Sequence, residues 1–337
     1  MVDPRQNRRP FERDEVLLGL WILQAQRIQE ELDRLNQCTS IEGTMQTPTI
    51  LELSGIGNSN ILKKHGIPTV INLPGVGENF QDHPISFIIV EVDPILDSLD
   101  ILKEPARLAE QEERYKKKEG IFASMACQQF AYISAPTLLG PDIIKRWQSL
   151  VVSADSTSVP SLGKQYEAIR SWMAEPEEAY SELLGLPSHF FTPASVAVPG
   201  RRYYSFVVSV MHPLSRGSVH IPSSNPADAP AIDPNYLDHP LDLEMLTSGA
   251  TVAYVMPSQE ICDQGDSALK AYVKETLGCS FHLLGTASML PRNEGGVVDE
   301  NLKVYGTSNL RVEVSAHTQS IVYAIAEKGA DILKRCT

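Results

Sequence analysis

The sequence lacks the marks of several large protein classes. Cysteine is sparse and unpatterned, at positions 38, 127, 262, 279 and 336 with no CxxC pair. An odd count at wide spacing argues against a disulfide framework or a zinc site and fits a reducing compartment. No stretch approaches the roughly 20 apolar residues of a membrane span. The apolar run nearest the N-terminus reaches only from Val16 to Leu23, with no cleavage pattern behind it, so no signal peptide is read. Basic residues are in short supply, 29 Lys and Arg against 42 Asp and Glu, for a net charge of −13. Such a surface repels phosphate backbones and anionic lipid, which excludes nucleic acid and polybasic membrane docking as expected partners. The one basic cluster, Arg114 and Lys116 to Lys118, is flanked by Glu112, Glu113 and Glu119 and reads as a solvated helix face. No histidine pair has HxxxH or HExxH spacing, so no metal site is read. GxSxG is absent, and so is GxGxxG. The only GxG pairs, Gly55-Ile56-Gly57 and Gly75-Val76-Gly77, lack the third glycine and any strand–turn–helix setting. The expectation is a soluble, cytoplasmic protein.

What is present is an ordinary folding composition. With 337 residues, 42% hydrophobic and 21% charged, the chain can bury the core of one large or two ordinary domains. Leu18, Trp21, Ala25, Ile28, Leu32 and Leu35 alternate at spacings of three and four, predicting an amphipathic helix over 15–36. The pattern is too short for a coiled coil, so docking on its own domain is the expected role. Thr47-Pro48 predicts the first turn of a helix closed by Ser54-Gly55. Further helices are predicted over Ser59 to His65, 99–118 and Leu241 to Val255. The alternation of residues 85–92 and Tyr203 to Met211 predicts strands, with Ser218 to Ile221 as a hairpin partner or neighbour of the latter. Asn225 to Pro234 reads as a loop. Strands gathered in the middle with helices around them point to an α+β fold.

Long motifs then narrow the reading. Gly43 to Gly57 (GTMQTPTILELSGIG), Leu73 to Pro84 (LPGVGENFQDHP) and the C-terminal series HxxGTxxM from His282, GGVVD from Gly295, NLRV from Asn309 and Ser315-Ala316-His317 stand in order. Between them lie Ser215 to Val219 and Ile232 to Leu237. Together these resemble the glucose–methanol–choline (GMC) family of FAD-dependent alcohol oxidoreductases, in its fungal branch, over about residues 40–337. Several long motifs in the right order are far more specific than one glycine pattern.

The resemblance implies an α+β architecture: a substrate-binding domain over 85–275, an antiparallel sheet covered by helices. It also implies an incomplete FAD-binding α/β remnant from 40–84 and 276–337, behind a non-family N-terminal region, 1–39. It implies FAD as cofactor, although the N-terminal glycine turn that holds the FAD pyrophosphate has no counterpart here, as in an N-terminally shortened member. The stretch between NLRV and SAH is also shorter than in relatives. Alcohol oxidation by hydride transfer to flavin needs a base for the hydroxyl proton, a role suited to histidine. By the resemblance His282 is that base, His317 hydrogen-bonds the substrate oxygen, and Gln319 approaches the flavin. The side chains of His282 and His317 are expected to converge on one cavity. The partner is a small-molecule alcohol in fungal secondary metabolism. Its identity, the oxidase or dehydrogenase outcome and any partner protein stay open.

The remaining histidines, 65, 83, 189, 212, 220 and 239, take structural roles in this reading, His83 as a turn residue, and Arg216 fixes a loop. Three readings stand: a flavin alcohol dehydrogenase or oxidase; a non-redox homologue serving as a binding module or cofactor-free acid/base enzyme; and an inactive truncated product.

Overall fold

The computed structural model describes residues 38–40, 43–124, 129–151, 159–190, 196–253, 265–308 and 310–312. The expected N-terminal helix, His317 and Gln319 lie outside the described residues. In chain order the elements are β1 (Cys38–Ser40), α1 (Gly43–Leu53), β2 (Ile56–Gly57), α2 (Ser59–Lys64), β3 (Ile71–Asn72), β4 (Pro84–Val92) and α3 (Pro105–Tyr115). There follow β5 (Gln129–Ser134), α4 (Pro141–Leu150), α5 (Leu162–Trp172), β6 (Ala179–Leu186), β7 (Arg202–Val210), β8 (Ser218–His220) and β9 (Ala231–Asp233). The series ends with α6 (Pro240–Ala253), α7 (Asp266–Glu275), β10 (Gly278–Cys279) and β11 (Leu310–Val312).

Five strands form one antiparallel sheet in the order β10-β4-β7-β6-β5. Strand side chains alternate between faces, and here the alternation sorts cleanly. Ile88 and Val90 of β4, Phe206, Val208 and Val210 of β7 and Leu183 of β6 enter the core beneath the helices. That core takes Trp147 from α4, Tyr166 and Ile169 from α5, Met245 and Leu246 from α6, and Leu269 and Val273 from α7. The other face carries Ile85, Phe87, Ser209 and Glu182, with Glu182, Ser209, Ile85 and Gly278 in one row across the sheet. This is an α+β arrangement with helices on one face.

A second, smaller core joins Leu51, Ile56, Leu73 and Val76 to Ala287, Val297, Val298, Val304, Leu310 and Val312. Its strands pair in parallel, β1 with β11 and β2 with β3, as in a fragment of an α/β domain.

Two local expectations are corrected. Helix α1 starts at Gly43, so Pro48 lies inside it rather than in its first turn. Proline has no N–H for the carbonyl four residues back, and that carbonyl, on Thr44, instead accepts the Thr286 hydroxyl at 2.6 Å. A tertiary hydrogen bond thus replaces the missing helical one. Strand β8 does not pair with β7. It pairs with β9, inside the stretch read as a loop, because Pro213 to Gly217 leads the chain away from the sheet. Asp242 fixes that turn by accepting the N–H groups of Leu214 and Ser215 at 2.7 and 2.8 Å.

Candidate active site

The site grows from the join of β10 with β4. Pairing places Gly278 opposite Ile85 and Cys279 opposite Pro84, and a bridge further on sets Leu284 opposite Gln81. Five steps on one strand face three on the other, so two residues bulge out between Cys279 and Leu284. Bulges re-aim side chains. Phe281, at φ 61°, takes the left-handed turn and stands 79% exposed. His282 follows it.

Asp82 lies under the bulge, 4% exposed. One carboxylate oxygen accepts the His282 N–H at 2.9 Å and the Ser280 hydroxyl at 3.1 Å, and the other accepts the Tyr236 hydroxyl. Burial, then the Asp82 carboxylate, pushes the Tyr236 phenol and the Cys279 thiol above their ordinary values. His83, 6% exposed, meets His282 edge to face with ring centroids 5.3 Å apart and Nδ1 to Nδ1 at 3.4 Å. Of two imidazole nitrogens facing each other, one carries the proton and one accepts, so the tautomer of each ring is tied to that of the other.

The segment after His282 is held from the other side. Thr44, at the start of α1, donates its hydroxyl to the Leu283 carbonyl at 2.8 Å, while Thr286 donates to the Thr44 carbonyl. His282 therefore sits between the sheet edge and the small core.

Of the sequence-predicted residues, His282 is at this junction. His317 and Gln319, and with them the expected convergence of the histidine pair, lie outside the described residues. Sequence reasoning missed His83, Asp82 and Tyr236 as neighbours of His282. The available signal was Asp82-His83-Pro84, a polar pair set just ahead of an apolar strand. Arg216 fixes its loop as expected, donating to the carbonyls of Pro213 and Ser215 at 2.7 and 2.9 Å and to Gln165. Burial pulls its guanidinium down to about 10.

Neither GxG turn fits the FAD pyrophosphate. A cradle needs open space over a glycine turn and unspent N–H groups. A Cβ built on Gly75 would lie 2.0 Å from the Gly295 carbonyl oxygen, and one on Gly77 2.2 Å from that of Val219. The Gly77 N–H is donated to Thr286 and the Gly55 N–H to Glu52. Both GxG turns are closed by the chain's own backbone. Among the described residues, no cluster of three or more His, Cys, Asp or Glu could hold a metal ion, and no helix is long and apolar enough to cross a membrane.

Comparison with known proteins settles the relationship. Two profiles described as GMC oxidoreductase match, over residues 13–85 and 213–326, together more than half of the chain. The first match runs upstream of residue 40, where the motif resemblance begins. Dehydrogenase mpl7 from Monascus purpureus is 33% identical over 87% of this chain and 53% of the relative. Among solved structures, an FAD-dependent oxidoreductase from Chaetomium thermophilum superposes with a TM-score of 0.73 at 27% identity, over 89% of this chain and 55% of that one. A fungal aryl-alcohol oxidase gives 0.71 at 25% identity, over 88% and 54%. The chain spans about half the length of the curated relatives it matches. FAD is the cofactor of these proteins as a family. With its motifs in order, two matching family profiles and a fold that superposes on solved members, this chain belongs to the GMC oxidoreductase family.

Proposed function

We propose that the chain provides the substrate-side and acid–base part of an FAD-dependent oxidation of a small-molecule alcohol to a carbonyl, with His282 as the proton acceptor. The observation that carries this reading is the His282–His83–Asp82 junction, where a bulge delivers a histidine to a buried carboxylate and a second imidazole. For His282 to accept a proton at Nε2, its Nδ1 must carry hydrogen and donate to Nδ1 of His83. His83 would then orient the base, and Asp82 would hold the backbone from which it projects. In this proposal the family resemblance assigns His317 to hydrogen-bonding the substrate oxygen and Gln319 to the flavin side. The two separate cores support the division of the chain near residues 84 and 276. A role in fungal secondary metabolism rests on the likeness to fungal dehydrogenases.

The closed GxG turns favour a second reading, in which the same histidines serve binding or cofactor-free acid–base chemistry. Absorbance of the purified protein before and after addition of FAD separates the two. The first reading expects flavin bands that persist through gel filtration, with alcohol-dependent bleaching lost in His282→Ala. A protein that stays colourless removes the redox reading for this chain and leaves the second.

A further inference from the structure

Helix α1 has a tie at each end. Its first residues grip the segment just after His282, through the Thr44–Leu283 and Thr286–Thr44 hydrogen bonds. Near its last turn stands Glu52, a carboxylate 0% exposed that takes no part in the proposed chemistry. A carboxylate buried that fully is costly unless paired and hydrogen-bonded. Here both oxygens are used: one faces His220 Nδ1 at 2.7 Å, and the other accepts the Ile221 N–H at 2.9 Å. The far nitrogen of His220 faces Glu78 at 3.3 Å. One imidazole is thus clamped between two carboxylates, one from α1 and one from the turn that follows Gly77. That turn is itself tied in, since the Gly77 N–H donates to the Thr286 carbonyl at 2.9 Å. Among the described residues, Glu52 and Glu78 are the titratable groups that face the ring.

We propose that Glu52 and His220 are positioning residues for His282, acting through α1: the clamp fixes one end of the helix against β8, and the other end fixes the bulge that presents the histidine. The inference rests on the reading of His282 as the working histidine. From Thr44 to Glu52 the helix rises about 12 Å, and this single element links the clamp to the bulge. The clamp holds best when His220 is an imidazolium. Burial alone would lower its pKa, but the hydrogen bonds to Glu52 and Glu78 outweigh burial and raise it to about 9. A histidine with a raised folded value stabilises fully below its ordinary value of 6.5, and that contribution is lost as pH rises through about 9. The clamp is therefore set at acidic to neutral pH and released in alkali.

Histidine side-chain NMR tests this without requiring turnover, so a failure of the redox reading leaves it unaffected. The ring signals of His282 and His83 would be followed through a pH titration in the wild type, His220→Gln, Glu52→Gln and His220→Arg. Leu246→Ala, in the sheet core, serves as a control for general loss of stability. The expected result is a shifted His282 midpoint in His220→Gln and Glu52→Gln and an unshifted one in Leu246→Ala. His220→Arg, whose charge does not titrate in this range, should retain the His282 environment above pH 9 where the wild type loses it. The proposal is overturned if His282 titrates alike in the wild type and the clamp variants, or if Leu246→Ala moves it as far. Should His220→Gln fail to fold, the alkaline limb decides alone: identical limbs in wild type and His220→Arg overturn the proposal.

Discussion

The two cores of this molecule are built on different physical principles. Beneath the five-stranded sheet, bulky side chains fill the space. Trp147 is 2% exposed, meets Tyr180 edge to face at 5.5 Å and donates its indole N–H to Glu244 at 3.2 Å. Tyr166 reaches the Leu214 carbonyl at 2.9 Å. Burial pushes the Tyr180 phenol up to about 12. The small core holds short aliphatic chains instead, and backbone lies directly on backbone, as where Gly75 abuts Gly295. The first region is stabilised by side-chain volume and the second by chain segments that approach because there is no Cβ between them. Hence the first should be sensitive to removing atoms and the second to adding one. The candidate site lies where the two regions meet.

Two substitutions and one double-mutant cycle break or sharpen this contrast. Trp147→Ala removes the largest fully buried side chain of the sheet core and should cost about 3–5 kcal/mol in denaturant unfolding. Hydrogen exchange should report the loss across α4, α6 and the sheet. A cost below about 1 kcal/mol would show that side-chain volume is not what holds this region. Gly75→Ala adds a single methyl against a backbone carbonyl that has no soft end to yield. It should cost about 1–3 kcal/mol, with exchange rising around residues 73–77 and 287–298 while the sheet stays protected. If the sheet opened equally, the two cores would be one cooperative unit. The smallest effect is expected at the rim of the sheet domain, where Arg146 pairs with Glu244. Arg146 is 55% exposed there, and exposed pairs contribute about 0–1 kcal/mol. A double-mutant cycle should return a coupling in that range, weakening with added salt.

The division between what could be read and what could not follows the same contrast. Strand β4 was evident from its alternation, as was β7, because one face meets a helical core. Helix α6 was evident from its apolar pattern. The bounds of α1 were not, since Pro48 signals a start and only the Thr286 hydroxyl explains how the helix tolerates it. The pairing of β8 with β9 depends on a turn fixed by a carboxylate some 27 residues away, on Asp242, and no local pattern carries that distance. At the candidate site, the motif points to His282. His83 was seen only as a turn residue, because the register that sets it beside His282 arises from strands almost 200 residues apart.

By itself the sequence determined the net acidic charge, the α+β class and the family, and it singled out His282 as the candidate base, because each is written in composition or in contiguous motifs. The tertiary structure decided which residues stand beside His282, whether the GxG turns face a ligand or the chain's own backbone, and where the buried Glu52 finds its partner. These depend on register and on contacts between distant segments, whose geometry is set only when both cores have packed.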